Sequence, residues 1–135
     1  MAYNYDGSGI TMTLTAAADL STHQYKFVEI TAANSVNLCN ATTDRPIGVL
    51  LNKPASGQAA TVLLAGVTQV VASGAIAAGK SIGTTNAGLA TINAGSEAGG
   101  GGSANPTVGI TITAAGGANE IITVAVNCLS SQVTG

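Results

Sequence analysis

Tryptophan is absent from this 135-residue chain, and Phe and Tyr together supply only 3% of it. A sugar-binding site, which stacks its ligand on aromatic rings, has little to be built from here. Charge is also scarce: 7% of residues are charged, against about 25% in an ordinary soluble domain. Four Lys and Arg face six Asp and Glu, for a net charge of -2. That leaves no basic footprint for nucleic acid and no polybasic patch for a membrane surface. No apolar run reaches the roughly 18 residues of a membrane helix. The start, Met1-Ala2-Tyr3-Asn4-Tyr5-Asp6, lacks both a basic and an apolar region, so no signal peptide is expected and the product is expected to mature in a cytosol.

Chemistry-bearing residues are equally sparse. His23 is the single histidine, and only Asp19 stands near it in sequence, so a nucleophile–base–carboxylate arrangement is not assembled. Cys39 and Cys128 lie outside any C-x-x-C and form no zinc ligand set with one His. Both sit at expected strand ends, which leaves a disulfide open. In a cytosolic product two small buried thiols are the expectation. The acids are scattered singly, so paired carboxylates are lacking. No enzyme, metal or cofactor is expected.

What is present is small and apolar. Hydrophobic residues make up 46%, much of it Ala, with 18 Gly and abundant Thr and Ser. The length suits one domain burying about two-thirds of its surface. The apolar content argues against disorder. So uncharged a chain has little like-charge repulsion to keep it monomeric, which implies a surface made to be covered by another protein.

Strand signals dominate. Ile10 to Thr15 alternates strictly between apolar residues and Thr, as in a half-buried strand with one oily face. Further strands are expected at Lys26 to Ile30, Ser35 to Cys39, Ile47 to Leu51, Thr61 to Leu64, Val67 to Ala72, Leu89 to Ile92, Val108 to Thr113 and Ile121 to Val126. Turns fall at Ala33-Asn34, 52–57, 86–88 and 114–119. Ala16 to Leu20 and Ala75 to Ala78 have the composition for one helical turn each. The predicted fold is all-β, a compact small β-barrel or sandwich of β-tulip or jelly-roll type, with at most one or two short helical turns. Residues 1–9 are expected to form an N-terminal arm, and residues 10–135 a single β domain. Gly95 to Asn105, with four consecutive glycines, reads as a flexible surface loop.

Pro46 to Leu51 matches Thr107 to Ile112 at a constant offset of 61. Either hairpins simply look alike, or two equivalent hairpins share one barrel, with Gly48 and Gly109 allowing a close backbone approach or a bulge. Gly74-Ala75-Ile76-Ala77-Ala78-Gly79-Lys80-Ser81 fits the phosphate-loop pattern. Its exit, 82–88, is a poor helix, however, and no downstream Asp is available for magnesium. The match is therefore read as incidental in a Gly-, Ala- and Ser-rich chain. Ice binding through Thr11-Met12-Thr13 and Thr111-Ile112-Thr113 would need a short stacked repeat that is missing.

Ala18-Asp19-Leu20-Ser21-Thr22-His23-Gln24-Tyr25-Lys26-Phe27-Val28 resembles the opening segment of the capsid cement, or head decoration, proteins of tailed phages. Pro46 to Pro54 followed by Gly57 to Val62 is similar to their central hairpin. Gly66 to Ala72 and Ala77 to Ile82 are similar to the next segment, with Lys80 where the family often has an acid. The likeness spans roughly residues 10 to 92. It implies a non-enzymatic β protein on the outer surface of a mature phage head, made in the host cytoplasm and bridging major capsid protein subunits. It also implies a homo-oligomer, a trimer favoured over a dimer. Lys26, Glu29, Arg45 and Lys53 would set orientation more than affinity. Terminal polarity and loop chemistry point to contacts from the arm, Ala2, Tyr3, Asn4, Tyr5 and Asp6 onward to Ser8, and from loops around Lys53, Pro54, Gly99 and Gly100.

Overall fold

The computed structural model describes residues 9–93 and 106–127. Nine strands follow one another: β1 Gly9–Ala16, β2 Phe27–Ala32, β3 Ser35–Leu38, β4 Gly48–Leu50, β5 Ala59–Val71, β6 Ser81–Thr84, β7 Ala90–Ile92, β8 Gly109–Thr111 and β9 Ile121–Val126. The fold is all-β, and the described residues contain no helix. Of the two segments with the composition for a helical turn, the first ends β1 at Ala16 and continues as a bend and irregular backbone, and the second makes a bridge from Ile76 to Ala115 and then a turn. Each is too short to repay helix nucleation.

The strands join in the order β1-β3-β2-β4-β5-β9-β8-β6-β7, and β1 also pairs with β5. The first five strands thus close on themselves: β1 runs parallel to β3 and antiparallel to β5. The second set, β5-β9-β8-β6-β7, returns through a parallel bridge between Ala72, just after β5, and Ala90 in β7. Two small rings therefore share one long strand. β5 belongs to the first ring over 59–66 and to the second over 66–71. The two runs expected at Thr61 to Leu64 and Val67 to Ala72 are this one strand, continuous through Gly66. That glycine is paired on both sides, to Gly9 of β1 and to Val126 of β9.

The rings are two copies of one motif. β2 and β3 pair through Val28↔Leu38, Glu29↔Asn37 and Ile30↔Val36. β6 and β7 pair through Ile82↔Ile92, Gly83↔Thr91 and Thr84↔Ala90, each residue 54 positions later. β4 and β8 are offset by 61. β1 pairs with the start of β5 as the end of β5 pairs with β9: Met12↔Val62 becomes Thr68↔Val124, and Leu14↔Ala60 becomes Val70↔Ile122. Loop bonds repeat as well. Tyr25 N donates to Leu50 O (2.7 Å) and Gly79 N to Thr111 O (2.8 Å). Ala55 N donates to Gln58 Oε1 (2.8 Å) and Gly116 N to Glu120 Oε1 (3.0 Å). Positive-φ residues follow the same rule, Tyr25 with Gly79, Asn34 with Gly88 and Gly57 with Asn119. The hairpins matched in sequence are thus equivalent, but they stand in two rings rather than one barrel. Gly48 and Gly109 mark close approaches: an added methyl would overlap the Leu63 carbonyl oxygen in one ring and the Ala125 carbonyl oxygen in the other.

Each ring has its own core. Leu14, Ala16, Leu20, Val28, Val36, Leu50, Ala60 and Val62 fill the first. Their counterparts Val70, Ala72, Ile76, Ile82, Ala90, Ile122 and Val124 fill the second, and four buried residues of the first repeat, Phe27, Cys39, Val49 and Leu63, join them there. These four come from the outer face of the first ring, so the repeats are welded by packing as well as by β5. The weld includes backbone bonds: Val71 N donates to Tyr25 O (3.0 Å), and Phe27 N donates to Gly88 O (2.8 Å).

Candidate contact surfaces

Lys53 stands exposed on the loop between β4 and β5, while Pro54 beside it is buried and its carbonyl accepts from Leu20 N at 2.9 Å. The loop is held from within. Asn52 Nδ2 donates to Ala59 O (3.0 Å), Thr61 N donates to Asn52 Oδ1 (3.0 Å), and the Gln58 side chain caps Ala55 N. Gly57 N and Ala16 N exchange bonds with Ala16 O and Gln58 O. A loop so tied holds the backbone of Lys53 in place, which limits the backbone entropy lost on docking. The other sequence-predicted contact residues, Ala2, Tyr3, Asn4, Tyr5, Asp6, Gly99 and Gly100, lie outside the described residues, as does Cys128.

Two small polar clusters lie elsewhere in the first repeat. Lys26 Nζ lies 3.2 Å from His23 Nδ1. Burial and then the Lys26 charge lower the His23 pKa, with Asp19 opposing. Asp19 itself accepts from Ser21 N at 3.1 Å, and its hydrogen bonds from Ser21 hold the carboxyl below its ordinary value. In the second cluster Asp44 Oδ2 accepts from Asn40 N and Ala41 N at 2.8 and 2.9 Å. Glu29 sits against it, and burial, then the hydrogen bond to Asp44 and its charge, raise the Glu29 carboxyl. Cys39 is buried and free, its thiol pushed up to about 12 chiefly by burial. Among the described residues no three His, Cys, Asp or Glu gather to hold a metal ion.

The phosphate-loop-like segment has another use. Ile76 N donates to Ala115 O, Gly79 N to Thr111 O and Lys80 N to Thr111 Oγ1, while Ser81 opens β6 rather than a helix. Three of the amides that would wrap a phosphate are spent on the second ring. The strand β6 went unread because Ser81-Ile82-Gly83-Thr84 is short and carries a glycine.

Sequence reasoning missed the exposed apolar residues. Ile10, Met12, Ile30, Ile92, Ile112 and Ile121 are all at least 37% exposed. The oily face of β1 is buried only at its end, at Leu14 and Ala16, while Ile10 and Met12 at its start are uncovered. Alternation marks a face as apolar but is silent on where along the strand the core stops.

No protein-family model and no curated protein sequence matches this chain. Its fold is similar to that in the crystal structure of the head fiber gp8.5 N base in bacteriophage phi29, with a TM-score of 0.63 and 16% identity over 87% of this chain and 93% of that one.

Proposed function

We propose that this chain is a capsid cement protein. It binds the outer surface of the mature phage head as a homo-oligomer, a trimer in preference to a dimer, bridges major capsid protein subunits there, and catalyses nothing. The observation that carries this reading is the fold shared with the base of a phage head fiber along nearly the whole of both chains. The sequence likeness to cement proteins supports it independently, because it rests on local motifs rather than on topology. The surface chemistry suits the role. An uncharged β face packs closely and binds over a wide range of salt, and a ligand that prefers the mature lattice stabilises it by mass action.

The neighbour's own description favours a second reading, in which the rings are a base that carries a fiber on the head. One experiment separates the two. Purified protein is added to heads lacking it, and the particles are imaged by cryo-electron microscopy and heated. Density at symmetric positions between capsid subunits, with a higher disruption temperature, supports cement. Bound protein without any gain in heat resistance supports the fiber base, and no head-associated density refutes both.

A further inference from the structure

The two repeats are equivalent in sequence position but not in burial, and the differences form a pattern. On the outer face of the first repeat, Val49 and Leu63 are buried and Leu51 is partly buried, all against the core of the second repeat. The equivalent residues of the second repeat, Ile110, Ala125 and Ile112, are partly or largely open, Ile112 at 46%. Leu38 packs on the first ring's own core and reaches Gly88 of the second repeat from the rim. Its equivalent, Ile92, is 37% exposed. The second repeat thus has an apolar outer face of the kind the first repeat uses to join it, with nothing among the described residues lying over it.

The complementary surface shows the converse. In the second ring Gly66 pairs with Gly9 and Thr84 hydrogen-bonds Cys39, so both meet the first repeat, and Thr68, on the same face of β5 as Gly66, is buried with them. Their counterparts in the first ring are Ile10, Met12 and Ile30, exposed at 65%, 46% and 45%. Five of the six exposed large hydrophobics therefore sit on these two surfaces, each of which is covered in the other repeat. None of the seven positions carries a charge, as in the core of a protein interface.

We infer that the outer face of the second repeat, at Ile110, Ile112 and Ala125, with Ile92 at the rim of that ring, binds the Ile10, Met12 and Ile30 surface of a second copy of this chain. The contact repeats between chains the packing that already joins the repeats within one chain. It differs in one respect. In the second ring, Tyr25 and Phe27 of the first repeat bridge β5 and the turn before β7 by backbone bonds, whereas Thr15 N already bonds Asn34 O (2.8 Å) at the same seam of the first ring. The interchain contact is therefore made by side chains. Its two halves are different surfaces, so the association is head-to-tail and closes into a ring or continues as a filament. It names the surface for the self-association in the reading above. It is measured without heads, so its failure and that of capsid binding are separate results.

The test is the mass of the full chain in solution, by sedimentation velocity and light scattering over a wide concentration range. Wild type is expected to associate. Ile112→Glu and Met12→Glu are each expected to be monomeric with an unchanged β circular dichroism spectrum. Mixed together they form a dimer and stop, because each retains one intact surface. Ile121→Glu is the control: Ile121 is 53% exposed, but its counterpart Ala59 is exposed too, so it lies off the junction. It leaves association unchanged. Should Ile112→Glu fail to fold, Ile92→Glu replaces it. A monomeric wild type, a mixture that stays monomeric, or equal disruption by Ile121→Glu overturns the proposal. A monomeric wild type whose Ile112→Glu variant no longer binds heads also overturns it and assigns the face to the capsid.

Discussion

Replacing Gly48 with Ala adds one methyl group where the fold has no room for it. The new Cβ would overlap the Leu63 carbonyl oxygen, with the Leu63 carbonyl carbon at 2.8 Å and Val62 Cγ1 at 3.0 Å. The obstacle is backbone, so no rotamer change relieves it, and β4 has to move. β4 has three residues and holds β2 on one side and β5 on the other, so displacement loosens both seams of the first ring. Overpacking of this kind costs about 1–3 kcal/mol, and the upper end applies because ladder bonds weaken as well. With an unfolding entropy of about 2.1 cal/mol/K per residue over 135 residues, each kcal/mol shifts Tm by about 3.5 °C. Thermal unfolding followed by circular dichroism should therefore show Gly48→Ala melting about 7–10 °C below wild type. Gly109→Ala should fall nearly as far, since its Cβ meets the Ala125 carbonyl in the same way. Gly74→Ala is the contrast: nothing lies within 4 Å of its Cβ and its φ is not positive, so it should melt within about 2 °C of wild type or slightly higher. If Gly48→Ala melts with wild type while Gly74→Ala does not, the close approach is not what places glycine there.

Asn34 holds a φ of 60° at the β2–β3 turn, where its counterpart is Gly88. Asn34→Ala should cost about 1 kcal/mol in urea unfolding and Asn34→Gly almost nothing, and equal losses would remove backbone conformation as the reason. Cys39, buried with its thiol pushed up to about 12, should stay unlabelled by iodoacetamide in the native protein at mildly alkaline pH and label once urea unfolds it; rapid native labelling, read by peptide mass spectrometry, would contradict its burial. Glu29 has a folded pKa raised above its ordinary 4.5, so the folded chain holds that proton more tightly than the unfolded chain. The resulting stabilisation is present below about 4.5 and is lost as pH rises through the folded pKa. Wild type should therefore lose stability toward neutral pH relative to Glu29→Gln, and parallel pH profiles would exclude the effect.

The chain announced its strands more clearly than their arrangement. Ile121 to Val126 was legible as a strand to the residue, because five of its six residues are β-branched and turns bound it. β5 read as two strands because Gly66 interrupts the apolar run, yet the interruption is where the strand passes from one ring to the other. The duplication surfaced only at the β4 and β8 hairpins. Elsewhere an insertion before β8 changes the offset from 54 to 61. Residues at the weld have also diverged with burial, so that Phe27 stands opposite Ser81 and Cys39 opposite Asn93. Lys53 was legible as an exposed loop residue. The apolar faces at Met12 and Ile112 were not, because whether an isoleucine is covered depends on which repeat it belongs to, and that is decided by tertiary packing alone.

The double pairing of Gly66 fixes where the chain enters and leaves the fold. Gly9 lies on one side of that residue and Val126 on the other, and two strand spacings put them about 10 Å apart. The first and last strands of the described residues therefore have these ends within two strand spacings of each other. A few residues would suffice to splice β9 to β1, so a circular permutant opened at the Lys53 loop should keep both rings. For the same reason a cargo joined directly before Gly9 or directly after Val126 would be carried at nearly the same place on the molecule.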